Sequence, residues 1–223
     1  MTTAGKRTMS PGLAKYLDSL KFGFYTCFRP LDGFWDLVHE KRGTMAAANT
    51  FVIISSIAQI VWLLSSNFQF INMNPEWFSS FWVLVYFVVP MFLFCVANWC
   101  LTTLFDGKGR ISDIYMVWAY AMVPQTILRL ISIPVGHILT YEEGMIHVLI
   151  TTGATTWFYL LLILGVKQVH DYSLSKALLT TILSLMAMGI MIFIFLMFFA
   201  VVSDGIAYFY ALAQEFMFRV RRG

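Results

Sequence analysis

The sequence predicts an all-α polytopic membrane protein, with five transmembrane helices preceded by an amphipathic helix lying at the membrane interface. Three observations carry this prediction. Hydrophobic residues make up 59% of the 223 positions and charged residues only 12%, with a mean hydropathy of +0.74. A soluble domain carries about 25% charged residues, so this chain cannot cover a globule with polar surface. Apolar runs long enough to cross a bilayer recur along it, separated by short polar turns. Finally, the cations gather in alternate turns, as they do when one set of loops is held in the cytoplasm.

Two regions follow: a cytoplasmic N-terminal segment, residues 1–43, and a five-helix membrane domain, residues 44–223. Ser10-Pro11 reads as a helix start, with serine as cap and proline in the first turn. Leu13, Leu17, Leu20, Phe24 and Phe28 then recur at helical spacing, while Lys15, Asp18 and Ser19 fall off that line. This helix is too short and too charged to span, which places it along the inner interface. The plainer alternative is that its stripe packs on protein. Pro30 and Gly33 predict a break, and Phe34 and Trp35 are aromatics suited to headgroup level.

No charge occurs from Thr44 to Pro75, so the first span falls at Met45 to Leu64, and the loop Ser65 to Glu76 carries no cation. The second span is Trp77 to Phe105, with Pro90 near its middle. The hinge Asp106 to Asp113 follows, in which Asp-Gly-Lys-Gly is turn chemistry because glycine accepts positive φ. A third span begins near Ile114. Pro134-Val135-Gly136 predicts its end, which leaves Arg129 about one turn from the outer surface. Tyr141 to Gly144 is an acidic outer loop, Met145 to Val166 the fourth span, and Lys167 to Lys176 an inner loop. The fifth span runs uncharged from Ala177 to Ser203, and an aromatic extension, Ala207 to Phe218, leads to Arg219, Arg221 and Arg222.

Lys6, Arg7, Lys15, Lys21, Arg29, Lys41 and Arg42 precede the first span, Lys108 and Arg110 occupy the hinge, and Lys167 and Lys176 the next inner loop; the two outer loops hold no cation. The N-terminus is therefore expected in the cytoplasm of a multi-pass cell-membrane protein. Five spans put the arginine-rich tail outside, against its charge. Translocation of the tail is the favoured resolution, and a re-entrant or surface-lying tail the other.

The composition and motifs exclude several function classes. There is no basic patch with interleaved aromatics for nucleic acid, and Cys27, Cys95 and Cys100 have no metal spacing. The hinge lacks the G-x-x-x-x-G-K-[ST] spacing that wraps phosphates, and no nucleophile–base set assembles. Glu143 and His147, four apart near His137 and Glu142, are a weak metal signal. No enzyme, metal or cofactor is expected. Asp32, Phe34, Trp35, Asp106, Lys108 and Arg110 are the candidate partner-binding residues. Asn98, Tyr120, Gln125 and Arg129 are polar within the spans and would line a path if the protein transported a solute. Arg129, a guanidinium inside a span, has the structural alternative of snorkelling outward or pairing with Glu142 or Glu143.

The sequence resembles the Yip1-domain family, and within it the bacterial branch of Gram-positive anaerobes. The likeness rests on P-L-D-G-F-W-D-L-V-H-E-K-R-G at Pro30 to Gly43, N-W-C-L-T-T-L-F-D-G-K-G at Asn98 to Gly109, A-Y-A-M-V-P at Ala119 to Pro124, and V-K-Q-V-H-D-Y-S at Val166 to Ser173. The resemblance implies a five-span fold without catalytic residues. Eukaryotic members bind prenylated Rab GTPases in vesicle traffic, but their acidic motif is only loosely echoed by Asp32-Gly33-Phe34-Trp35. Genes of the bacterial branch often adjoin those of carbohydrate ABC transporters. The expected partners are the lipid bilayer and other membrane proteins, ABC-transporter permease subunits among them, with homo-oligomerisation left open.

Overall fold

The computed structural model describes residues 11–66 and 79–222. Within them the chain forms seven α-helices and no strand: α1 (Pro11–Phe28), α2 (Pro30–His39), α3 (Met45–Ser65), α4 (Ser80–Leu104), α5 (Ile111–Ile138), α6 (Gly144–His170) and α7 (Leu174–Arg222). The five from α3 to α7 are each long and apolar enough to cross a membrane. The expected cap Ser10, the start of the second span at Trp77 and nearly all of the first outer loop lie outside the described residues.

α5 is the hub of the bundle, packing on α6, α3, α4 and α1. Half of its apolar stretch (50%) is buried, against 6% for α7, which touches the bundle only at the edge, through α4 and α6. The core gathers Phe94, Val117, Tyr120, Leu161 and Val166 from the spans with Phe34 and Leu37 from α2. Trp118 of α5 sits between the rings of Phe94 (5.0 Å) and Phe158 (5.1 Å), tying α4, α5 and α6 together.

The N-terminal helices differ from expectation in an instructive way. Pro30 ends α1 but also opens α2, as its fixed φ suits the first helical turn. Gly33 does not break the helix. It lies inside α2 against α1, where an added Cβ would come within 2.9 Å of the Thr26 Cα, so it permits the two backbones to approach. The face of α1 turned to the bundle is Ser19, Phe22, Thr26 and Cys27. Most of the stripe read from the sequence is left exposed: Leu13, Leu17, Phe24 and Phe28 are exposed, Phe28 by 86%, while Leu20 packs against the core. That is the geometry a helix lying in an interface requires.

One polar cluster seats α1. The Ser19 hydroxyl is 2.6 Å from the Tyr120 hydroxyl and accepts from the Thr44 N–H at 3.0 Å. Tyr120 is fully buried, with the Phe51 ring edge-on at 5.0 Å. With α1 seated, burial pushes the Cys27 thiol up to about 12, so it resists alkylation. Tyr120→Phe removes a hydrogen bond worth about 1 kcal/mol. In a Cys100→Ala background it should raise maleimide labelling of Cys27 roughly fivefold; an unchanged rate would mean that α1 is held by its apolar contacts alone.

Two further elements depart from the sequence expectation. α5 does not stop at Pro134-Val135-Gly136 but continues to Ile138, so Arg129 lies nine residues, about 13 Å, from its end rather than one turn. α7 passes through Asp204-Gly205 without a turn and runs for 49 residues, about 74 Å, more than twice the roughly 30 Å hydrocarbon layer.

Candidate functional site

The polar groups of the hinge and those of the α6–α7 connection meet at one end of the bundle. α4 ends in a turn in which Asp106 takes a left-handed φ of 57° and the Gly107 N–H bonds back to the Thr102 carbonyl at 2.7 Å. This is a Schellman stop with aspartate in the place glycine usually takes. α6 stops the same way, with Asp171 at φ 54° and the Tyr172 N–H on the Lys167 carbonyl at 3.0 Å. The glycines of Asp-Gly-Lys-Gly are therefore not there for positive φ, since no described glycine has one. They are there for space. A Cβ on Gly107 would fall 2.6 Å from Thr102 Cβ and 2.7 Å from His170 Nδ1, and one on Gly109 would fall 2.7 Å from His170 Cε1 and collide with Val169.

This close approach lets His170 organise a chain of hydrogen bonds across four elements. The Gly109 N–H donates to His170 Nδ1 (3.2 Å). Nδ1 must then be the unprotonated nitrogen, so Nε2–H donates to Asn98 Oδ1 (3.1 Å). Asn98 Nδ2 donates to Ser184 Oγ (3.0 Å), and the Ser184 hydroxyl donates to the Thr180 carbonyl (2.8 Å). His170, Asn98 and Ser184 are all buried, and each link of the chain pairs one donor with one acceptor. Beside it the Phe105 carbonyl accepts from the Tyr172 hydroxyl (3.0 Å) and the Lys176 ammonium (2.8 Å), which caps the end of α4. Burial, and after it the Asp106 carboxylate, raise the Tyr172 phenol above its usual pKa.

The same end joins the two segments that the sequence marks separately. Asp171 carries both Lys108 of the hinge (3.0 Å) and His39 at the end of α2 (3.6 Å). His39 stacks on the Trp35 ring at 4.8 Å. Trp35, His39, Asp171 and Lys108 thus form one patch. Asp32, Asp106 and Arg110 are also exposed at this end. Phe34 must be struck from the surface set, because it is fully buried in the core with Leu37. Trp35, about 100° further round α2, is 45% exposed.

The intramembrane residues do not line up as one path. Asn98 belongs to the His170 chain and Tyr120 to the α1 seat. Gln125 and Arg129, one turn apart on α5, share a different region: Gln125 Nε2 donates to Thr155 Oγ1 (3.4 Å), and the Arg129 guanidinium donates to Gln59 Oε1 of α3. Arg129 does not pair with Glu142 or Glu143. Glu143 instead accepts from the Thr140 N–H (3.1 Å) and hydroxyl (3.0 Å), opening the entry to α6. Among the described residues no three His, Cys, Asp or Glu side chains come together as a metal site.

Sequence reasoning assigned no role to His170, Ser184, Ser19, Gln59 or Asp171. The usable signal was weak. Thr180, Thr181 and Ser184 form a small polar face on an otherwise apolar helix, which is a mark of helix–helix packing in lipid; nothing in the sequence says which helix they meet.

A family model described as the Yip1 domain matches residues 24–212 of the chain. No curated protein matches it, and neither does any solved structure.

Proposed function

Because the chain belongs to the Yip1-domain family, a family of membrane proteins, we propose that it is a non-enzymatic scaffold or accessory subunit that binds other membrane proteins through the hinge end of its bundle. The observation that carries this reading is the joining of Trp35, His39, Asp171 and Lys108 into one exposed patch on a base held by the buried His170 chain. A surface fixed before contact loses little entropy on binding, which is what a docking site needs. Trp35 supplies the aromatic anchor, and Asp106, Lys108 and Arg110 a charged rim.

The cation distribution supports a cell-membrane orientation with the N-terminus and the hinge end in the cytoplasm. In that orientation the patch faces cytoplasmic loops of a neighbour, and the resemblance to the bacterial branch favours a carbohydrate ABC-transporter permease. Transport by the chain itself is the weaker reading, since Asn98, Tyr120 and the Gln125–Arg129 pair belong to three separate clusters.

Crosslinking in native membranes followed by affinity capture tests the proposal. Trp35→Ala and Asp106→Asn (asparagine tolerates the left-handed conformation, which alanine does not) should each reduce partner capture on the order of tenfold, with membrane insertion intact. Undiminished capture by both variants would overturn the proposal that this patch is the docking surface. Capture of a second copy of this chain alone would make it a self-association surface instead.

A further inference from the structure

At the half of the bundle away from the hinge, Arg129 stands on the wall of a cavity of about 250 Å³ lined also by Trp62, Thr151, Thr152 and Thr155. Its surroundings are a fixed polar frame. The guanidinium carbon lies 5.3 Å from the centre of the Trp62 ring. The Trp62 indole N–H is held by Ser132 Oγ (2.9 Å), whose hydroxyl donates in turn to the Arg129 carbonyl (2.7 Å). Thr155 accepts from Gln125 and donates to the Thr151 carbonyl (2.9 Å), and Thr151 donates to the His147 carbonyl (3.0 Å). Gln59 accepts from one arm of the guanidinium. An arginine has five N–H donors and never loses its charge, and among the described residues no carboxylate is within ion-pair reach of this one.

A positive charge about 13 Å from the helix end, inside a span, is costly unless it meets an anion or reaches the headgroups. A neutral amide and an indole face temper that cost without cancelling the charge. The cavity, the guanidinium donors that Gln59 leaves over and the lack of a counter-charge among the described residues converge on one chemistry. We infer that Arg129 and the threonine-lined cavity beside it bind a phosphate-type anion, either the headgroup of a phospholipid from the leaflet opposite the hinge or a free phosphate. Arginine suits this because its fork matches two phosphate oxygens at once. The site is independent of the docking patch: it lies in another part of the bundle and shares no residue with it.

The test uses the full chain in a neutral detergent, with native mass spectrometry against phosphatidylglycerol, against diacylglycerol of the same chains, and thermal denaturation with inorganic phosphate. Wild type should retain one phosphatidylglycerol in preference to diacylglycerol, and Arg129→Gln should bind it roughly tenfold or more weakly, the loss expected for charge-assisted hydrogen bonds. Arg129→Lys should fall between them. Thr152→Trp, which fills the cavity and keeps the arginine, should also lose the lipid, so the outcome does not hang on one variant's folding. A phosphate-induced shift in wild type that is absent from Arg129→Gln, with no preference between the lipids, would also support the site and make its ligand the free anion. Equal phosphatidylglycerol retention by wild type, Arg129→Gln and Thr152→Trp, with no shift by phosphate, would overturn the inference.

Discussion

His170→Ala is expected to destabilise the protein by about 3 kcal/mol, measured as the shift of helix loss in graded sodium dodecyl sulfate. The physical reason is the chain of bonds through the ring. Removing it leaves the Gly109 N–H and the Asn98 Oδ1 without the partners they have at 3.2 and 3.1 Å, and each buried unsatisfied group costs about 1–3 kcal/mol. The loss should not stay local, because the chain ties the hinge, α4, α6 and α7 together. The hinge should therefore become more sensitive to protease at Lys108 in the variant. His170→Gln keeps an acceptor and a donor on one side chain and should recover part of the stability. A cost below about 1 kcal/mol for His170→Ala would mean that water or relaxation satisfies both groups. The protonation state follows from the same geometry: an imidazolium has no lone pair for the Gly109 amide, so the chain requires the neutral ring.

The second large effect is expected at Gly165. α5 and α6 are the most extensively paired helices of the bundle, and Gly165 of α6 is buried against Val117 of α5, with no room for a Cβ beside the Val117 Cγ1. Close approach through a small residue is how helices gain packing in lipid, where no hydrophobic drive separates one apolar surface from another. Gly165→Ala should cost about 2–3 kcal/mol because the branched side chain of a fully buried valine has nowhere to move. Val117→Ala should cost about 1–2 kcal/mol by itself. Together they should cost clearly less than the sum, with a coupling of about 1–2 kcal/mol, because Val117→Ala removes both methyls that the new Cβ meets. Strict additivity would show that the helices simply move apart.

Much of the fold was legible because a bilayer imposes a one-dimensional demand. A helix that crosses lipid must satisfy its own backbone and carry an apolar residue at almost every position, so the start of the first span at Met45 could be placed by reading along the chain. The α6–α7 connection was placed too, but it is three residues rather than the ten from Lys167 to Lys176, because the charged ends of both helices stay helical. The site was less legible. Asp32, Trp35, Asp106, Lys108 and Arg110 are exposed, but Phe34 beside Trp35 is buried, and only the rotation of α2 about its axis separates the two. Arg129 was visible as a charge inside a span, whereas its partner Gln59 lies 70 positions away. The hinge glycines could be marked as special, but their reason is the bulk of Thr102, Val169 and His170 rather than backbone freedom.

From its sequence alone this protein is a membrane bundle with five spans, an apolar-striped helix before them and its cations massed toward one side, because insertion depends on the apolar character of each segment taken singly. Only the tertiary structure decided that His170 meets Asn98, that Ser19 meets Tyr120, that Asp171 unites α2 with the hinge, and that α1 leaves most of its stripe exposed while Leu20 packs inward. Those pairings depend on how far each helix is rotated and slid against its neighbours. In lipid, where one apolar face is nearly equivalent to another, a few polar contacts and small residues settle that choice.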